Sequence, residues 1–144
     1  MKGISIGKEH VGEIVRHSLE VFPKEACGLL AGKGPEVSKL YRLRNSDNSE
    51  VTYALDPAEQ LGAIKEIEKD GLSLVAIYHS HTGSPAFPSA TDVARAFFPG
   101  TKDENFPGVV YVIASVSENS LRELRAFLIK QDGIEEIEIK TGQV

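Results

Sequence analysis

The chain has 144 residues, 41% hydrophobic and 26% charged, the usage of an ordinary globular domain, which disfavours disordered and membrane classes. A net charge of −5, from 16 Lys and Arg against 21 Asp and Glu, leaves no basic footprint for nucleic acid, and no apolar run reaches the length of a membrane span. A chain of this size buries about 68–70% of its unfolded surface, so one domain over residues 1–144 is expected, with a core that needs no staples.

From residue 4 to 22 the apolar positions Val11, Ile14, Val15, Leu19 and Phe22 fall at helical spacing, and Pro23 stops the pattern. This predicts an amphipathic first helix. Its His10 and His17 lie on nearly the same face. With no carboxylate or cysteine at a matching position, they read as surface or half-buried histidines, not ligands. Glu25 heads residues 26–32, a run of small apolar side chains that reads as a buried strand. Taken alone, this carboxylate reads as a solvated residue at a strand start. Cys27 shares its strand face and reads as a buried structural thiol. It is the chain's one cysteine, so no internal disulfide can form. Together with the lack of an apolar leader behind Met1, this sets the expectation of a cytoplasmic protein.

Lys33-Gly34-Pro35 marks a hairpin turn, and alternation over residues 37–44 predicts the return strand. The turn formers of residues 45–49 make a loop, and residues 50–55 read as another short strand. Asp56-Pro57-Ala58-Glu59 supplies an N-cap, an N1 proline and a capping-box Glu for a second helix to Asp70, with the stripe Leu61, Ile64 and Ile67. Residues 72–78 form a nearly unbroken apolar run that reads as a buried strand leading into His79 and His81. A third helix is predicted over residues 89–98. Beyond it, residues 101–107 form a charged loop near the site that could contact substrate. Residues 109–114 read as a second fully apolar strand. Residues 121–130 and 134–140 form a closing hairpin about Asp132-Gly133, with Glu135, Glu136 and Glu138 on a solvated face. The element order predicts an α/β fold with a single mixed β-sheet flanked by helices.

The chemistry concentrates in residues 79–92. His79 and His81, two apart on a strand, share a face, and two imidazoles at a strand end can bind one divalent metal if a third ligand comes from elsewhere. Asp92, one helical turn beyond Ser89 after the loop of residues 82–88, is the natural third ligand. Two His and one carboxylate with an open fourth position is the pattern of a catalytic zinc site. A simpler reading competes with this one: Ser89-Ala90-Thr91-Asp92 also fits a helix capping box, which needs no metal.

This run resembles the signature of the JAMM (MPN-plus, JAB-type) zinc metalloproteases: His-x-His, seven residues, then Ser-x-x-Asp, with a Glu far upstream. His79, His81, Ser89 and Asp92 fill the pattern, and Glu25 matches the upstream Glu in Glu25-Ala26-Cys27-Gly28-Leu29-Leu30-Ala31-Gly32. One departure is Thr82, where many members have Pro. The resemblance implies a cytidine-deaminase-like JAMM/MPN fold, with Zn²⁺ on His79, His81 and Asp92, Glu25 as general base and Ser89 as oxyanion donor. It further implies hydrolysis of an amide or isopeptide bond at the C-terminal tail of a ubiquitin-like modifier or sulfur-carrier protein, as in the short prokaryotic members. The tail would lie extended along a strand edge. Partners expected are that protein substrate and, as an open possibility, a second copy in a homodimer; nucleic acid and membrane are not expected. Competing readings are a non-catalytic MPN scaffold, disfavoured by the complete ligand set, and a RadC-type DNA-repair-associated role, disfavoured by the acidic charge. A zinc nucleoside deaminase would need a Cys pair that one cysteine cannot supply.

Overall fold

A computed structural model describes residues 3–142. In chain order the elements are β1 (Gly3–Ser5), α1 (Lys8–Val21), β2 (Cys27–Lys33), β3 (Glu36–Leu43), α2 (Pro57–Lys69), β4 (Ser73–His81), α3 (Ala90–Arg95), β5 (Val110–Val116), β6 (Leu121–Lys130) and β7 (Gly133–Lys140). The strands form one mixed sheet, as the sequence predicts, in the order β1-β3-β2-β4-β5-β6-β7. It closes on itself because β1 pairs in parallel with both β7 and β3. β4 is central, antiparallel to β2 and parallel to β5. Among the described residues no helix is long and apolar enough to cross a membrane.

β2, β4 and β5 are covered on both faces, which is why they read as continuous apolar runs. Alternate residues divide between two cores. Leu30, Ala76, Tyr78, Val112 and Ala114 pack with Ile14 of α1. Cys27, Leu29, Ala31, Ile77 and Tyr111 pack with Ala63 and Ile67 of α2. By the two-residue period of a strand, His79 and His81 fall on the α2 face and Ser80 on the α1 face.

The α1 face explains Gly28. A Cβ there would collide with the Tyr78 ring and with the Tyr41 carbonyl. The Tyr78 ring lies over this glycine, fully buried, and its hydroxyl contacts His17 Nδ1 at 2.7 Å. His17 is therefore buried at 7% exposure, not at the surface or half-buried as the sequence reading had it. Burial, helped by the positive field of Arg42, pushes the His17 imidazole down to about 4, so the ring is neutral at pH 7.

Several sequence expectations are corrected. Residues 4–6 do not extend α1: Ile4 and Ile6 are fully buried around Ser5, and β1 pairs with β7 from the other end of the chain. Residues 50–55 are not a strand; only an isolated bridge joins Asn45 and Leu55. The α2 box is half present. Asp56 caps the Glu59 amide at 3.0 Å, whereas the Glu59 carboxylate turns away to accept the Arg44 N–H at 2.6 Å. Leu61 is 56% exposed, and Ala63 takes its place on the buried stripe with Ile67. α3 stops at Arg95, because Phe97 leaves the helix to bridge Glu104.

Candidate active site

The site forms where β4 ends. In the β2–β4 register Cys27 lies opposite His79, so the segment entering β2 runs beside His81. Ser80, between the two histidines and fully buried, holds that segment: its Oγ accepts the Ala26 N–H at 2.8 Å and its own N–H donates to the Ala26 carbonyl at 3.0 Å. Glu25 is thereby brought to the histidines. Its backbone is fixed on both sides, the N–H donating to Ser49 O at 2.9 Å and the C=O accepting from Asn45 Nδ2 at 3.1 Å.

Asp92 arrives from the first turn of α3. The capping box is fully formed, with Asp92 N–H donating to Ser89 Oγ at 3.0 Å and Ser89 N–H donating to Asp92 Oδ2 at 2.9 Å. The same Oδ2 lies 3.1 Å from Nε2 of both His79 and His81, and those two nitrogens are 3.1 Å from each other. The cap and the cluster therefore coexist, since the cap fixes the carboxylate that faces the imidazoles.

His81 Nδ1 donates to the Pro85 carbonyl at 2.8 Å, an acceptor only, which leaves the neutral ring's Nε2 as a lone pair. His79 Nε2, His81 Nε2 and Asp92 Oδ2 thus converge in a buried space, an arrangement that a shared proton or a cation holds together. Their 3.1 Å spacings approach the ~3.3 Å between ligands of a tetrahedral ion with 2.0–2.1 Å bonds. Glu25, His79 and His81 also each offer a ligand atom within 4.8 Å of one another. The donor set fits a divalent metal. Asp92 is the nearer carboxylate to both nitrogens, and Glu25 Oε1 is buried with no partner.

The electrostatics follow from burial. Glu25 is 4% exposed, and desolvation pushes its carboxyl up to about 8 against the lowering pull of His81. Burial also raises Asp92, but hydrogen bonds to His79 and His81 outweigh it and hold the group well below the usual carboxylate range. Burial depresses His79. In His81 burial acts the same way, yet the contacts with Asp92 and Pro85 carry the net shift upward.

The walls come from loops. Residues 82–88 are pinned by Ser115 Oγ donating to Ser84 O at 2.7 Å and by Glu123 accepting the Ala86 N–H at 2.9 Å. Thr82, the departure from the family pattern, donates from Oγ1 to the Glu50 carbonyl at 3.2 Å, a bond that proline could not make. Tyr53 stacks on His79, ring centroids 4.2 Å apart. A cavity of about 340 Å³ opens beside Asp92, lined by Tyr53, Ile77, Arg95, Phe106 and Tyr111. Phe106 and Asn105 of the loop expected to contact substrate stand on this wall.

All five sequence candidates therefore meet at one place. His10 and His17 do not join them. Ser80, Asn45 and Tyr53 were missed. A signal existed for Ser80, because a serine between two histidines of one strand face points to the opposite face, and on a strand buried on both faces it needs a hydrogen-bond partner.

Against known proteins, the family model for prokaryotic homologs of the JAB domain matches residues 7–129. This chain is a prokaryotic JAB-domain homologue. The family resemblance read from the sequence is thereby established. Among curated relatives, the JAB chain is 35% identical over 130 residues to the CysO-cysteine peptidase of Mycobacterium tuberculosis, covering 88% of this chain and 82% of that one. It is 47% identical over 81 residues to a probable TtuB-protein conjugate cleaving protease of Thermus thermophilus, an alignment spanning 56% of this chain and 54% of that protein. Among solved structures, a protein from Desulfitobacterium hafniense studied in solution is 37% identical with a TM-score of 0.79, over 94% of this chain and 90% of that one.

Proposed function

We propose that this JAB-domain chain is a zinc-dependent peptidase that hydrolyses the amide or isopeptide bond at the C-terminal tail of a ubiquitin-like or sulfur-carrier protein. The observation that carries the reading is the buried convergence of His79 Nε2, His81 Nε2 and Asp92 Oδ2 beside an unpartnered Glu25 carboxylate oxygen. The names of the mycobacterial and Thermus relatives support the substrate class. The net charge of −5 fits a protein substrate better than a nucleic acid.

His79, His81 and Asp92 would hold the metal. When bound, Zn²⁺ supplies Lewis acidity, lowering the pKa of water and polarising the scissile carbonyl. Glu25 is the general base: its free oxygen takes a proton from the attacking water and returns it to the leaving nitrogen. Burial keeps this carboxyl from being a weak base, and a bound cation would draw it back toward ionisation. Ser89 Oγ already accepts the Asp92 N–H, so its own hydrogen remains to donate to the developing oxyanion. Pro85 O fixes the His81 ring and Tyr53 covers His79, which keeps both nitrogens aimed before substrate arrives.

The test combines elemental analysis with cleavage of a ubiquitin-like protein bearing a C-terminal amide extension. About one zinc per chain is expected in wild type and in Glu25→Gln, and none in His81→Ala. Glu25→Gln should lose cleavage by at least about 100-fold. Wild-type activity in Glu25→Gln, or absence of zinc from reconstituted wild type, overturns the reading.

A further inference from the structure

We infer that Asn45 is a positioning residue for Glu25, an inference that rests on the peptidase reading above. The Glu25 carboxylate is aimed by its backbone, because its buried oxygen has no side-chain partner to hold it. That backbone is gripped by one loop, residues 45–55, and the loop is organised by Asn45.

A side-chain amide offers two N–H donors and two acceptor lone pairs, and Asn45 uses all four. Its Nδ2 donates to Glu25 O at 3.1 Å and to Thr52 O at 3.0 Å. Its Oδ1 accepts the N–H of Asp47 and of Ala54, each at 3.0 Å. The loop so folded supplies the Ser49 carbonyl that accepts the Glu25 N–H at 2.9 Å. Residues 52 and 54 are both bound to Asn45, and Tyr53 between them is thereby presented to His79, centroids 4.2 Å apart. Arg95 of α3 closes the far side, donating from Nη1 to Tyr53 O at 2.9 Å. One side chain thus ties the base to the segment that covers a metal-facing histidine. No other residue type has this donor and acceptor set at this length: Asp presents only acceptors to the Glu25 and Thr52 carbonyls, and Gln carries one methylene too many.

The experiment uses Asn45→Asp in the full chain, with kcat, KM and zinc content against wild type, and amide hydrogen exchange on the metal-free protein. Zinc should stay near one per chain and KM within about three-fold, while kcat falls about 10–100-fold, the cost of displacing a catalytic group by about 1 Å. A purely structural role would lower the melting temperature and leave kcat unchanged well below it, and that result overturns the inference. Hydrogen exchange needs neither activity nor a variant that folds. In metal-free wild type the Glu25 and Ala54 amides should exchange together, through one opening of the loop. Protection of Glu25 with free exchange at Ala54 shows that the loop does not hold Glu25, and also overturns the inference. Failure of the peptidase reading is distinguishable, since it shows as an inactive or zinc-free wild type whatever Asn45 does.

Discussion

Replacing Gly28 with alanine should be among the most damaging small changes in the fold. The added Cβ would overlap the Tyr78 ring on one side and the Tyr41 carbonyl on the other. The carbonyl belongs to β3, whose residue 41 pairs with Leu29 beside it, so it yields only if the β2–β3 ladder yields. The ring is fully buried, and moving it breaks the 2.7 Å contact with His17 Nδ1. Overpacking costs about 1–3 kcal/mol, and a buried nitrogen left without a partner about 1–3 kcal/mol more. A total of about 2–6 kcal/mol corresponds to a drop in Tm of about 7–20 °C for a domain of this size. The assay is thermal and urea unfolding in the presence of a chelator, so that metal linkage does not contribute. Tyr78→Leu in the Gly28→Ala background makes room for the methyl, so the double variant should lose less than the two single changes together. A Gly28→Ala protein within about 0.5 kcal/mol of wild type, or strictly additive losses, refutes the packing argument.

His17 should make stability depend on pH. Its folded value, about 4, lies below the ordinary 6.5, so the unfolded chain binds more protons between the two. Its contribution is complete above pH 6.5 and is lost as pH falls toward 4, by about 1–3 kcal/mol. Chelated wild type and His17→Gln, unfolded in urea at pH 7 and pH 4.5, should differ in that slope, and equal slopes would contradict the burial of the ring. Cys27 should be inert: it is fully buried, and burial pushes its thiol up to about 12. A thiol reagent should modify it only at the rate of unfolding, and rapid modification of the native protein would show that the sheet opens beside His79.

The sequence alone determined the local chemistry. His79 and His81 had to share a face because strand side chains repeat every two residues, and Ser89 and Asp92 had to meet because a helical turn separates them. The apolar runs of β2, β4 and β5 announced strands covered on both sides. The closing hairpin, whose turn lies at Gln131-Asp132, one residue before the expected Asp132-Gly133, and the Asp56 cap were legible for the same reason: each depends on residues within a few positions of one another. Tertiary structure decided whatever depends on distant segments. The three residues of β1 carry too little periodicity to be read, and they are a strand only because β7 lies beside them. Residues 50–55 have strand-like composition, yet Asn45 bonds their backbone before any ladder can. Glu25 by itself resembles a solvated residue. Its place at the histidines comes from the register of β2 on β4 and from the Ser80 hydroxyl, contacts that span 54 positions of sequence and that no local pattern encodes.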